Sequence, residues 1–407
     1  SRFRQCVDHR WFAPVLLFVS AVAALAVTTP SQPNLNDFHV FVLGGAALDH
    51  PGMLYSFSYS DQSPQQPLPF VYPPFAAMVF YPLHFLPFAL AGILWQLGII
   101  AATYGIVHVA RLMTGGGSRR EVMLWTAGAI WLEPVRICIN LGQVGVFLTL
   151  MALYAVYSNR WWISGLLVGS AAGIKLTPAI TGFYFLGVRR WAAAAFSAVV
   201  FAGTVAVSYL VVGDQVRHYF TKVMGATGDT SVNPIGVALN QSWRGGISRI
   251  LGHDAGQGAL VLAVDVLTAV LAVWAWRALG SGGTERDKLG SLLVVQLLGL
   301  LISPISWVNH WIWLVPLIIW LFYGRWRDEP LARALGWVWV AATFIAVPSQ
   351  LANIQPALWE ISRPWYLAWA GLVYVALAVA TLAWMVVTAR RVATGAADRS
   401  VTQITAG

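Results

Sequence analysis

Apolar residues run along this chain in long blocks, broken by short polar or proline-containing segments, from Trp11 to Thr388. Blocks of this kind, without the period-two alternation of strands, predict membrane-spanning helices rather than a water-soluble fold. The best fit is an all-α polytopic membrane protein with about twelve transmembrane helices. Their predicted edges are 11–29, 88–112, 122–137, 144–158, 161–174, 178–188, 191–212, 259–279, 289–303, 310–323, 333–348 and 365–388. The first block follows Arg2, Arg4 and Arg10 and contains an Ala24-Leu25-Ala26 site, a pattern that also fits a cleavable signal peptide. It is read as the first membrane helix. The whole chain, 1–407, is then a single transmembrane domain. Residues 30–87 form a first extracytoplasmic loop with surface helices, 213–258 a second large one, and 392–407 a small, polar cytoplasmic tail expected to be disordered. Within the first loop, Phe75 to Leu86 is apolar but short and is bracketed by Pro73-Pro74 and Pro87, so it is expected to lie along the outer surface.

Several blocks are too short to cross a bilayer. At about 1.5 Å per residue, Trp161–Ile174 covers about 21 Å, less than the ~30 Å hydrocarbon core. The helix pairs meeting near Arg136 to Gln143, near Lys175 to Pro178 and near Ser303 to His310 share this defect. Both ends of each pair lie on the cytoplasmic side, so the tips stop below the outer surface. Non-helical backbone at that depth is tolerated only where it lines a protein or water-filled cavity. One recessed, outward-facing polar pocket is predicted.

Composition agrees: 58% of residues are hydrophobic, only 10% are charged, and the mean hydropathy is +0.67. The formal charge of +9 raises the question of nucleic acid, which the placement of the charges answers. Eighteen Lys/Arg fall on the side of the N-terminus and seven on the other, the asymmetry of the positive-inside rule. Both termini are therefore assigned to the cytoplasm, and nucleic acid is not an expected partner. The two cysteines, Cys6 and Cys138, fall on opposite sides and carry no disulfide or zinc reading.

Walker, dinucleotide-binding, zinc and G-x-S-x-G signatures are absent, as is an Asp-x-Asp metal–nucleotide motif among the outer carboxylates. Asp37, soon after the first span, has two compatible readings: a helix N-cap, and a carboxylate that accepts a proton from a substrate hydroxyl. Lys175 lies within apolar sequence just before Thr177-Pro178, where an ammonium signals either a function or a structural ion pair with a group such as Glu133. His310, among Trp307, Trp311 and Trp313, is either a packing residue or a functional one. Asp265 is a further intramembrane carboxylate with the same two readings. Arg217, His218, Lys222, Arg244 and Arg249 give the second outer loop a positive cast, suited to a phosphate-bearing substrate or to plain solvation. Asn240-Gln241-Ser242 matches a glycosylation acceptor pattern.

Asp37, Tyr72-Pro73-Pro74, Asn140-Leu141-Gly142-Gln143, Lys175-Leu176-Thr177-Pro178 and Asn309-His310-Trp311 together resemble the polyprenol-phosphate-sugar-dependent glycosyltransferases of the C-type (GT-C) fold. Within these the chain is similar to the mycobacterial phosphatidylinositol-mannoside mannosyltransferases. The resemblance implies transfer of mannose from polyprenyl phosphate mannose to a phosphatidylinositol mannoside, with inversion and an α-1,2 linkage, at the extracytoplasmic face of the cell membrane. It implies Asp37 as base and His310 as a second catalytic residue. Lys175, with Arg136 and Arg244 as helpers, would neutralise the donor phosphate. His39, Tyr72, Glu133, Asn140, Gln143 and Asn309 would line the substrate pocket. No metal and no cofactor are expected; the partners are the two lipid substrates and membrane lipid. Two competing readings are an arabinofuranosyltransferase using a polyprenyl phosphate arabinose donor, and a transporter of lipid-linked sugar.

Overall fold

The computed structural model describes residues 10–28, 35–59, 68–226, 234–280, 286–355, 357 and 359–405, so Cys6 and Asn34 lie outside the described residues. The chain divides into two compact units. The first comprises the described residues up to Leu112, those of 116–226, and Val308–Val315; the second comprises 113–115, 234–307 and 316–405.

In the first unit the helices are α1 (Phe12–Thr28), α2 (Asn36–Ala46), α3 (Pro74–Phe80), α4 (Phe88–Met113), α5 (Arg119–Ala129), α6 (Glu133–Leu141), α7 (Gly145–Tyr157), α8 (Trp161–Ile174), α9 (Thr181–Gly187) and α10 (Trp191–Val212). A two-stranded antiparallel ribbon pairs β1 (Ser58–Tyr59) with β2 (Leu68–Pro69), Ser58 opposite Pro69. The second unit holds α11 (Trp243–Leu251), α12 (Ala259–Ala278), α13 (Lys288–Ile302), α14 (Leu314–Tyr323, whose first two residues belong to the first unit), α15 (Ala332–Ile345), α16 (Val347–Asn353), α17 (Trp365–Ala370) and α18 (Val373–Thr405).

Among the described residues, five helical segments are long and apolar enough to cross a membrane: Phe88–Met113, Trp191–Val212, Ala259–Ala278, Ala332–Asn353 and Val373–Thr394. The pair α5 and α6 passes the same test together, bent by 72°. Their outward residues are apolar, as lipid requires: Leu210 of α10 is 84% exposed and Leu267 of α12 is 68% exposed. The protein is a polytopic, all-α membrane protein. Phe12–Thr28, Gly145–Tyr157, Trp161–Ile174, Lys288–Ile302 and Val308–Tyr323 are the shorter apolar helices.

Local chemistry explains the breaks. Ser118 and Glu121 form a reciprocal capping box that starts α5, with Oε2 of Glu121 accepting from the Ser118 amide at 2.8 Å. Pro134 at the first turn of α6 cannot donate to an upstream carbonyl, so α5 cannot continue straight into it. Pro178 does the same after α8: Lys175 is extended at φ −150°, ψ 133°, and the chain resumes as a 3-10 turn, Thr177–Ile180. Helices α8 and α10 approach through small residues. A Cβ on Gly169 would lie 2.6 Å from the Ser197 carbonyl oxygen, so nothing larger than glycine fits without displacement.

Helix α18 runs past Arg391 to Thr405, a stretch whose alanines favour helix and which contains no proline. One expectation changes here. The Asn240-Gln241-Ser242 triplet is fully buried, which rules it out as a glycan acceptor. It serves as a structural splint. Oδ1 of Asn240 accepts from the Ser306 amide at 3.0 Å, and the Gln241 amide donates to the Ser306 carbonyl at 2.8 Å.

Candidate active site

The site is built where the start of α2 meets the end of α6. Leu35, just before α2, adopts the left-handed conformation (φ 56°, ψ 27°), uncommon for a residue with a side chain. Its amide donates to the Asn140 carbonyl at 2.7 Å, which ties the α2 entry to the last turn of α6. That bond and the strained turn bring Asn36 and Asp37 into the first turn of α2. The N-cap is therefore Leu35, with no side-chain cap; Asp37 stands inside the helix, where amide dipoles favour a carboxylate.

Helix α6 ends at Gly142, whose φ of 72° suits glycine. The turn is pinned from α4. Nε1 of Trp95 donates to the Gly142 carbonyl at 2.8 Å, and Nε2 of Gln96 to the Ile139 carbonyl at 3.0 Å. The next residue, Gln143, hydrogen-bonds the Asp37 carboxylate. Burial pushes the Asp37 carboxyl up to about 6, against the opposing pull of the Gln143 hydrogen bond and the Lys175 charge.

Lys175 reaches the same place from the α8 break. Its Nζ lies 3.1 Å from Nε2 of His310 and 5.5 Å from the centre of the Tyr72 ring. Asp37 is a charged neighbour of Lys175, whereas Glu133, buried in the first turn of α6, is not among its partners. His310 sits in the 3-10 segment Val308–Trp313. The preceding Asn309 is buried, and its carbonyl accepts from Sγ of Cys138 on α6 at 3.6 Å. Tyr72 is buried beside the ring of Phe41 and also hydrogen-bonds Gln143, while its carbonyl accepts from Oη of Tyr55 at 2.8 Å.

The three short-helix tips singled out from the sequence thus converge, and Asp37, Tyr72, Asn140, Gln143, Lys175, Asn309 and His310 belong to one neighbourhood. The other candidates have surroundings of their own. His39 stacks on Phe88 with ring centres 3.7 Å apart. Arg136, one turn before Asn140 on α6, has no ion-pair partner among the described residues. Arg244 belongs to the second unit, where Asp254 grips its guanidinium with two bonds of 3.0 and 2.8 Å. Asp265 lies on α12 of the second unit, its Oδ1 buried without a partner among the described residues. Trp95, Gln96, Cys138 and Asn36 escaped the sequence reading. Each acts through residues far away in the chain, and no local pattern marks such a role.

Chemically, the cluster combines a half-buried carboxylate pushed up to about 6, a cation and an imidazole. Lys175 is a positive charge facing Asp37.

The profile of Glycosyltransferase family 87 matches residues 70–304, more than half of the chain. A protein of Mycolicibacterium smegmatis named polyprenol-phosphate-mannose-dependent alpha-(1-2)-phosphatidylinositol pentamannoside mannosyltransferase is 58% identical over 92% of this chain and 90% of its own. Its namesake in Mycobacterium tuberculosis is 57% identical over 93% and 88%. A second M. tuberculosis protein, named as the corresponding phosphatidylinositol mannoside mannosyltransferase, is 28% identical over 79% and 78%. No solved structure matches. On the family match and the identity over nearly its whole length, the chain belongs to glycosyltransferase family 87.

Proposed function

We propose that this protein is an inverting α-1,2-mannosyltransferase that moves mannose from polyprenyl phosphate mannose onto a phosphatidylinositol mannoside, the pentamannoside first among them. Near 58% identity to a relative of that name supports the substrates. The Asp37–Lys175–His310 cluster is the observation that carries the chemistry. The fold is read as GT-C with twelve membrane passages in a single transmembrane domain. Both termini are read as cytoplasmic and the site as extracytoplasmic in the cell membrane. The unequal distribution of Lys and Arg supports that orientation.

Asp37, as carboxylate, takes the proton of the acceptor's 2-hydroxyl while that oxygen bonds to the anomeric carbon of the donor mannose. The bond from that carbon to the phosphate oxygen breaks, and its electron pair leaves on polyprenyl phosphate. Lys175 offsets the charge that develops there, a fixed cation in a water-poor site. His310, held by Lys175, faces the same charge or the acceptor hydroxyl. Gln143 orients the carboxylate, and Tyr72, Asn140 and Asn309 line the sugar. The donor's apolar chain fits a groove of about 600 Å³ along α8, α9 and α10, lined by Val168, Ala172, Ala179, Gly182, Ala198 and Phe201 among others. Ala172 and Ala179 flank the break that carries Lys175, so a phosphate at Lys175 has an apolar channel beside it.

Mass spectrometry of lipids tests the proposal, after the purified protein in detergent is incubated with polyprenyl phosphate mannose and mannosylated phosphatidylinositols. A product one hexose heavier is expected. Turnover with a polyprenyl phosphate arabinose donor alone, or dependence on a sealed vesicle, would overturn it.

A further inference from the structure

In the second unit the buried side-chain amides of Asn240 and Gln241 are paired at both ends. Asn240 donates through Nδ2 to the Ile235 carbonyl at 3.1 Å and accepts through Oδ1 from the Ser306 amide. Gln241 donates to the Ala238 and Gly371 carbonyls and accepts from the Tyr374 amide. That completeness is what burial demands.

Around Asp37 the pattern is different. Oδ1 of Asn36, Oε1 of Gln143 and Nδ2 of Asn309 are buried and have no partner among the described residues, their residues being only 6%, 6% and 4% exposed. These three atoms come from separate segments that meet at the end of α6. Asn36 precedes Asp37 and is held there by the Leu35–Asn140 bond. Gln143 already spends its amide on Asp37, so its oxygen points away from that bond. Asn309 is tied to α6 through Cys138. Two acceptors and one amide donor are therefore left open on segments that meet at the end of α6, next to Asp37 in sequence or in contact with α6.

An amide oxygen accepts only from a group that carries a proton, so Asn36 and Gln143 do not suit the oxygens of an ionised phosphate. They suit hydroxyls. The left-handed backbone at Leu35 sets Asn36 at the start of α2, and such strain concentrates at binding sites.

We propose that Asn36 is a specificity-determining residue whose Oδ1 accepts a hydrogen bond from one ring hydroxyl of the hexose bound at Asp37, in concert with Gln143 and Asn309. The proposal rests on the mannosyl-transfer reading and adds to it a residue that recognises the sugar. The hexose is either the mannose being transferred or the mannose that receives it, since both carry the same hydroxyl chemistry.

Steady-state kinetics of the wild type and Asn36→Ala test it, with the native pair and with two series of analogues, monodeoxy donors and monodeoxy acceptors. Asn36→Ala should lower kcat/KM about 10- to 100-fold with the native pair. For one analogue, the one that lacks the contacted hydroxyl, wild type should already show that loss and the substitution should add nothing. A donor analogue behaving so assigns the contact to the transferred mannose, an acceptor analogue to the receiving one. Asn36→Ser, which keeps an acceptor oxygen and suits a helix start, provides the same comparison if the alanine variant does not fold. An equal loss on every analogue, or unchanged native turnover, would overturn the proposal. Failure of the underlying reading looks different, because wild type would then transfer no mannose from the native donor.

Discussion

Nζ of Lys175 and Nε2 of His310 lie 3.1 Å apart, a contact between residues 135 positions apart in the chain. An ammonium has only protons to offer, so the imidazole supplies its Nε2 lone pair and keeps its proton on Nδ1. In this state His310 is neutral and Lys175 carries the positive charge that faces Asp37.

The pair is expected to act as a unit. Lys175→Gln should lower kcat by about 100- to 1000-fold, the cost of removing one fixed group that stabilises developing charge. His310→Ala should also lower it by a large factor. The double variant should lose much less than the product of the two, as for residues in contact. Single-turnover kinetics of all four proteins measures the coupling; additive losses would show that the contact is unimportant for transfer.

Asp37→Asn keeps the shape of the side chain and removes its basicity. Transfer should fall by about 100- to 10000-fold, the range for a lost general base, while the protein still elutes as a folded species on size exclusion. Turnover close to wild type would dismiss Asp37 as the base.

The pH dependence follows from the same group. A base works as its carboxylate, which is populated above its pKa, so kcat/KM should be maintained above about pH 6 and fall as pH drops through it. Gln143 holds that carboxyl down through its hydrogen bond. Gln143→Leu should therefore move the acid limb to higher pH. A shift downwards, or no acid limb in wild type, would contradict the assignment.

Gly142→Ala tests the turn that places Asp37. The position has φ 72°, and a Cβ there would stand 2.6 Å from Cβ of Phe38, the neighbour of Asp37. Backbone strain of about 1 kcal/mol is expected, together with displacement of the α2 entry. Activity should fall at least tenfold while the thermal midpoint drops only a few degrees, read from parallel assays of turnover and melting.

Ala198→Trp places a large ring in the groove along α10. KM for a long-chain polyprenyl phosphate mannose should rise about tenfold, with little change for a short-chain analogue that does not extend past Lys175. An equal effect on both donors would place the chain elsewhere.

The helices were legible in the sequence because lipid imposes a one-dimensional rule: an apolar run long enough to cross must be helical, and a proline or charge inside it must mark a break. Pro178 follows that rule, whereas the predicted span 122–137 runs through Pro134, where the structure bends by 72° between Arg119–Ala129 and Glu133–Leu141. Hydropathy does not encode which tip meets which. The meeting of Asp37 with Gln143, and of Lys175 with His310, depends on the close approach of α8 to α10 through Gly169 and on the anchoring of α6 by Trp95 and Gln96. Tertiary structure also decided that Leu35, not Asp37, starts α2, and that Asn240-Gln241-Ser242 is buried. In each case the deciding partner lies far along the chain, where periodicity and local propensity carry no information.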